Sequence, residues 1–332
     1  MTDSEFNIWP AVLMGETADI YFSRAAIVLR NEAINPLVVM EFFPERAGVL
    51  CGVNEAFNFL GKLLPKNLSE VWGLEDGAEV LQDEVSLRIQ APYSTFALYQ
   101  TAICGMLSQS TAWATAAREC VEAAKGVPVI SFGAQHVHPN VAHIMDYAAI
   151  VGGCTACSTP LGAKLAGVTP VGSMSHAYII CVGDLVKAAH LFDKHIPPEV
   201  PRMALVGTFK DEVEESLRVA AALRDKLQTV QLNTPAGRGQ VTPTLVNEVR
   251  AHLDLHGFKK VGIFVSGGLT SERINKIVGA SAAVIGFGVG SAITSAPPNN
   301  FSADICEVEG HTVAMRGRIP GITINPRLKQ LM

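Results

Sequence analysis

The sequence predicts an α/β protein: a seven-stranded parallel α/β barrel over residues 111–294, preceded by a smaller α+β domain over residues 1–110. Three observations predict it. The chain has 332 residues, 48% apolar and only 17% charged, which is material for about two domains and a large core. From Thr111 onward, short and near-continuously apolar runs alternate with helical patterns, as in a parallel sheet covered by helices. The first 110 residues lack that rhythm. A right-handed series of seven such units closes into a barrel; an open doubly wound sheet is the alternative.

In the first domain the spacing predicts a helix from Thr17 to Arg30, stopped by Asn35-Pro36. A strand over Leu37 to Phe43, a helix over Gly52 to Leu64 and a strand over Glu79 to Ile89 follow. The predicted barrel strands are Val127–Gly133, Ala148–Gly153, Val171–His176, Met203–Phe209, Thr229–Thr234, Val261–Gly267 and Ala282–Gly288. Helical patterns lie at Ala112–Lys125, Asp184–His195, Asp211–Lys226 and Thr242–His256. The stretch 295–332 carries Pro297-Pro298 and a basic end, and is expected to pack back on the first domain.

Net charge is −5, which argues against a nucleic-acid binder with its usual basic face. No run reaches the ~18 apolar residues of a membrane span; the best, Tyr178 to Phe192, is interrupted by Asp184, Lys187 and His190. Met1 to Pro10 contains Asp3 and Glu5 and has no basic stretch followed by an apolar one, so a cytoplasmic location is expected. Seven scattered cysteines read as reduced thiols.

In a parallel barrel the chemistry lies where strands end and their loops gather. The sixth predicted strand ends Ser266-Gly267-Gly268, with a helix starting near Ser271; the seventh ends Gly288-Val289-Gly290. Glycines after a buried strand let backbone N–H groups converge on an anion, and a following helix start adds unpaired donors. Together the two turns read as a phosphate site. The first strand ends Gln135-His136-Val137-His138, which raises a metal-hydrolase reading. The later strand ends supply no His, Asp or Glu to complete it. The third strand ends at His176, a candidate acid–base or phosphoryl-carrying group. Cys154 and Cys157 form a single pair with no further zinc ligands at suitable spacing, and read as packed thiols.

These residues resemble the nicotinate phosphoribosyltransferases, most closely the shorter bacterial and archaeal members. The segments Gly15–Phe22, Ser131–Pro139, Ser158–Leu165, Gly172–Ala177, Phe264–Leu269, Gly286–Gly290 and Arg316–Gly321 carry the likeness. The resemblance implies an irregular seven-stranded α/β barrel with a small α/β domain, assembled as a homodimer or higher oligomer. The implied reaction joins nicotinate to phosphoribosyl pyrophosphate, giving nicotinate mononucleotide and pyrophosphate, a step of NAD biosynthesis. The same resemblance implies Mg²⁺ and ATP, with the ATP hydrolysed through a transiently phosphorylated histidine corresponding to His176. Tyr21 matches the aromatic that stacks on the pyridine ring, Gln135 stands at the base-facing position, and the glycine turns hold the 5′-phosphate. The longer members carry a cysteine-rich metal-binding tail that this sequence does not show, so no structural zinc is expected.

Several positions depart from the family pattern, mostly by losing charge. Gln135 replaces an arginine that faces the base carboxylate. A charge-assisted contact of that kind is worth ~1.5–3 kcal/mol. Gly207 and Asn233 replace aspartates, Gln100 a glutamate, and Thr155 and Ile285 aspartates. Acids at 207 and 233 suit the cationic charge that builds on the ribosyl carbon, and each such preorganised group is worth about 10²- to 10³-fold in rate. The resulting expectation is a nicotinate phosphoribosyltransferase-like protein. Its alternatives are a paralogue with altered or lost catalysis that keeps a phosphorylated-ribose or nucleotide ligand and, further off, a metal-dependent barrel hydrolase.

Overall fold

The computed structural model describes residues 6–280 and 282–332. Asp3 and Glu5, read above against a secretory leader, lie outside them. The chain divides into two compact units, Met1–Thr115 with Ala296–Met332, and Ala116–Ser295.

The first unit is built on a six-stranded sheet. Its central strand, Leu37–Pro44, pairs antiparallel with Leu87–Pro92 on one side and Phe301–Val308 on the other. The run Val38 to Pro44 is buried throughout, as a central strand requires. The predicted strand Glu79–Ile89 is two pieces, Glu79–Val80 and Leu87–Pro92, separated by a turn at Asp83, whose φ is +59°. The helix Ile20–Asn31 buries none of its residues.

The second unit carries the parallel sheet. Its strands are β1 (Val129–Ser131), β2 (Ala156–Cys157), β3 (Met203–Val206), β4 (Thr229–Leu232), β5 (Gly262–Val265) and β6 (Gly286–Val289). They are ordered β2-β1-β6-β5-β4-β3, every pairing parallel. Its longer helices are α1 (Pro139–Val151), α2 (Pro160–Ala166), α3 (His176–Val182), α4 (Leu185–His195), α5 (Glu212–Leu223), α6 (Pro243–Leu255) and α7 (Ser271–Gly279), and a four-residue helix, Ser291–Thr294, follows β6. The sheet curls: Ile130 of β1, Ala156 of edge strand β2 and Phe264 of β5 share a core, against which pack Met203 of the other edge strand, β3, and the loop residue Val171. That curvature fits a barrel whose hydrogen bonding is open between β2 and β3.

Two of the seven predicted strands are not strands. Ala148–Gly153 is the buried C-terminal end of α1, where Ala148 and Ala149 face the core. Pro139 starts that helix and Gly152-Gly153 ends it; a four-residue apolar run has no periodicity of its own to separate helix from strand. The strand proper follows at Ala156–Cys157. Val171–Ser175 runs without ladder pairing, apart from the Val171 N–H donating to the Cys157 carbonyl at 2.9 Å. His176 therefore opens α3 rather than closing a strand. Ser175 caps it, its hydroxyl accepting the Tyr178 N–H at 3.1 Å. The helix placed at Ala112–Lys125 begins already at Gln100. Among the described residues no helix is long and apolar enough to cross a membrane.

Candidate active site

The C-terminal ends of β3 and β4 are organised by two buried glutamates at the start of α5. Asp211 caps that helix, accepting the Glu214 N–H at 2.8 Å, and so points its first turn at the strand ends. Glu215 is fully buried. Its carboxylate accepts four consecutive backbone N–H groups, from Gly207 (2.8 Å), Thr208 (3.0 Å), Phe209 (3.2 Å) and Lys210 (3.3 Å). The loop after β3 is thus wrapped around one carboxylate. Glu212, 3% exposed, accepts the Thr234 hydroxyl at 2.7 Å and an Arg238 guanidinium N–H at 3.3 Å. The local sequence signal around both glutamates, Asp211-Glu212 ahead of an apolar helix, reads as a helix start and nothing more.

Thr208, set by Glu215, meets His176: its Oγ1 lies 2.9 Å from His176 Nδ1. Burial lowers the His176 pKa, partly opposed by the Glu215 charge. The imidazole is therefore biased to its neutral form, with Nδ1 engaged and Nε2 left for chemistry.

At the end of β5, Gly267 and Gly268 have φ of +90° and +60°. Neither N–H has a hydrogen-bond partner among the described residues. Arg273 of α7 holds the turn from behind, donating to the Gly268 carbonyl at 2.7 Å and the Val241 carbonyl at 3.0 Å. A Cβ on Gly267 would lie 2.2 Å from Asn233 Oδ1, so Asn233 packs on this turn. Ser266 is placed differently from the expectation. Its N–H donates to the Leu232 carbonyl at 2.9 Å, and its hydroxyl accepts from Gln231 Nε2 at 2.9 Å. It belongs to the sheet's polar interior, where Gln231 also accepts from Ser173 at 2.6 Å, and has no spare N–H for a ligand.

The second turn is shorter than expected. Gly288 and Val289 are ladder residues, paired with Ile130 and Ser131, and only Gly290 lies in the turn. A Cβ at Gly288 would stand 2.6 Å from the Phe132 ring, and one at Gly286 2.8 Å from the Phe264 ring; these glycines make room for an aromatic pair inside the sheet. His136 Nε2 lies 3.1 Å from where a Gly290 Cβ would be. His138 accepts the Asn140 N–H at 3.2 Å as the cap of α1, a structural task that takes it out of the metal reading. Among the described residues no group of three or more His, Cys, Asp or Glu is placed to hold a metal ion.

Gln135 is exposed, in the single turn Ala134–His136 after β1. Tyr21 lies in the first unit, 59% exposed, its hydroxyl donating to Asp19 at 3.3 Å. Gln100, also in the first unit, is buried and donates to the Tyr93 hydroxyl at 3.2 Å. Thr155 donates to the carbonyl of Val129, the first residue of β1, and Ile285 immediately precedes β6. Both occupy the N-terminal ends of strands, the end opposite the turns. Cys154 and Cys157 are buried; burial pushes the first thiol far up and the second up to about 12, which makes both inert as thiolates.

The sequence matches two family models across nearly its whole length: the quinolinate phosphoribosyl transferase N-terminal domain over residues 19–111 and the C-terminal domain over residues 113–304. The chain belongs to the quinolinate phosphoribosyl transferase family. Its fold is that of a nicotinate-nucleotide pyrophosphorylase from Pyrococcus furiosus, with a TM-score of 0.88 and 42% identity over 97% of this chain and 82% of that one. The human nicotinic acid phosphoribosyltransferase shares the fold at 15% identity, with a TM-score of 0.76 over 92% of this chain and 77% of that one. Among curated relatives, a nicotinate phosphoribosyltransferase of Mycobacterium tuberculosis is 27% identical over 230 residues, 68% of this chain and 48% of that protein. One of Bacillus subtilis is 23% identical over 229 residues, 68% and 46%. The chain spans about half the length of these curated relatives. The likeness to nicotinate phosphoribosyltransferases read from the sequence is thereby matched, within the wider quinolinate family.

Proposed function

We propose that the protein transfers the phosphoribosyl group of phosphoribosyl pyrophosphate to a pyridine base, and that the base is nicotinate. The ring nitrogen forms a bond to ribosyl C1 as the C1–oxygen bond to pyrophosphate breaks, giving nicotinate mononucleotide and pyrophosphate. The observation that carries this reading is the Gly267–Gly268 turn. Two adjacent glycines at positive φ leave their N–H groups unpaired at the end of a parallel strand, in a chain of this family, and such a turn suits the 5′-phosphate. Three positions on the loops and helix starts that follow the strands offer no free cation. Arg273 is spent on backbone carbonyls, Arg238 is paired with Glu212, and Gln135 is neutral. That scarcity favours a base with one carboxylate over quinolinate with two.

ATP coupling belongs to the same proposal. His176 takes the γ-phosphoryl group on Nε2 as the bond to ADP breaks, and water later releases phosphate from it. When bound to the phosphates, Mg²⁺ would supply neutralisation of the leaving group's charge; such an ion is commonly held by substrate oxygens plus one or two carboxylates. Among the described residues no group of three or more His, Cys, Asp or Glu is placed to hold a metal ion, so Mg²⁺ would enter on the substrate's own oxygens. A homo-oligomer is also proposed, because helix Ile20–Asn31 exposes Ile20, Tyr21, Ile27 and Val28 by more than half.

The test is a product assay. Purified protein is given phosphoribosyl pyrophosphate and Mg²⁺ with nicotinate or quinolinate, with and without ATP. Nicotinate mononucleotide that rises with ATP supports the proposal. Carbon dioxide release from quinolinate, with no turnover of nicotinate, reverses the choice of base.

A further inference from the structure

We propose that Gln231 is a positioning residue: it ties the Gly267–Gly268 turn to the segment that presents His176, so that a phosphate group held at the turn is felt at that segment. The inference rests on the phosphate reading of the turn given above. Gln231 stands in β4, where all four residues are buried. An apolar side chain would fill that place at no cost, whereas a buried amide is tolerated only when its groups are hydrogen-bonded. Both of its groups are. Nε2 donates to the Ser266 hydroxyl at 2.9 Å, and Oε1 accepts the Ser173 hydroxyl at 2.6 Å.

The two partners belong to different loops. Ser266 directly precedes Gly267. Its hydroxyl passes the chain on, donating to the Leu232 carbonyl at 3.3 Å, and its N–H donates to the same carbonyl at 2.9 Å. The entry to the turn is therefore set from the sheet interior, while Arg273 grips its exit at the Gly268 carbonyl. Between these two fixed points the Gly267 and Gly268 N–H groups stay free for an anion.

At the other end, Ser173 lies three residues before His176 and two before Ser175, the cap of α3. Among the described residues, the Ser173–Gln231 bond is the one hydrogen bond that ties Gly172–Ser175 to the sheet. A segment with so few bonds follows its tether. The side-chain bonds also run in one direction: Ser173 O–H to Gln231, Gln231 N–H to Ser266, Ser266 O–H to Leu232. Bonds in such a directed chain polarise and strengthen one another. An anion that orders the turn beside Ser266 is therefore transmitted, through one amide, to the residues that lead into His176.

Gln231→Met keeps the length and packing of the side chain and loses both bonds; Gln231→Glu keeps a group that both serine hydroxyls can reach. The probe is ribose 5-phosphate, titrated into the intact native protein and both variants while backbone amides are followed by NMR. In the native protein the Gly267 and Gly268 amides are expected to shift, with smaller shifts of the same midpoint at Ser173 and Met174. In Gln231→Met the turn is expected to respond still, with affinity down about fivefold for one lost bond, while the Ser173 and Met174 shifts fall to less than roughly a quarter of native size. Gln231→Glu is expected to restore them to at least about half. A residue that merely filled the interior would leave the Ser173 and Met174 response of Gln231→Met as in the native protein, and that result overturns the inference. So do Ser173 and Met174 amides that stay fixed in the native protein while the turn responds. If Gln231→Met does not fold, Ser173→Ala, which removes only the far bond, decides: the inference expects the turn to respond and Met174 to stay fixed, and a Met174 that still shifts overturns it. A native protein whose Gly267 and Gly268 amides do not respond overturns the phosphate reading itself, and the role of Gln231 with it.

Discussion

His176 shows how a single side chain is tuned by its neighbours. Burial holds its pKa below the ordinary 6.5, and a depressed histidine pKa means that the neutral form dominates at pH 7. A nucleophilic imidazole needs that form. Phosphorylation of the protein by labelled ATP is therefore expected to be flat from about pH 7 upward and to fall only below 6.5; labelling that grows as the pH drops would contradict this. Thr208→Val removes the partner of Nδ1 and should slow labelling roughly tenfold, the worth of one oriented hydrogen bond. The histidine itself was legible in the sequence, but its setting was not. Thr208 and Glu215 are 32 and 39 positions further along, and only the folding of the β3 loop around a buried carboxylate brings them to it.

At the scale of elements, the strands with long apolar runs (β3, β4, β5) were legible because residues on both faces are buried. The short ones were not. β2 has two residues, and what precedes it is an apolar helix end indistinguishable by composition from a strand. The motif Ser158–Leu165 reads in the structure as a joint between elements. Asp146 of α1, fully buried, accepts the Ser131 hydroxyl at 2.7 Å, the Thr159 N–H at 3.0 Å and the Thr159 hydroxyl at 2.7 Å. Asp146→Ala strands those donors and should cost about 3 kcal/mol by denaturant unfolding. The same reasoning separates the two glycine turns. Gly288→Ala drives a methyl group into the Phe132 ring and should cost about 1–3 kcal/mol, a loss of stability that a purely ligand-binding glycine would not show.

For the molecule as a whole, the family assignment stands beside several positions where the resemblance implies a charge and this sequence has none. Gln135, exposed in the turn after β1, offers no cation. Thr155 and Ile285 sit at the N-terminal ends of strands, away from the turns. Gly207 lies against the Glu212 side chain, and Asn233 packs on Gly267. The ends of the sheet carry one glycine turn with two unpaired N–H groups, and beside Thr208 lie a partly buried histidine and two buried glutamates. The glycine turn after β5 is a local signal and lies where the sequence predicts it, whereas His176 opens α3 instead of ending a strand. The two glutamates elude the sequence, because contact between residues 207 and 212 depends on how α5 leaves the sheet. The most direct measurement follows the backbone amides of Gly267 and Gly268 by NMR while ribose 5-phosphate is titrated into the intact protein. Saturable shifts centred on these two amides are the predicted result; resonances that stay fixed while others move would contradict the account.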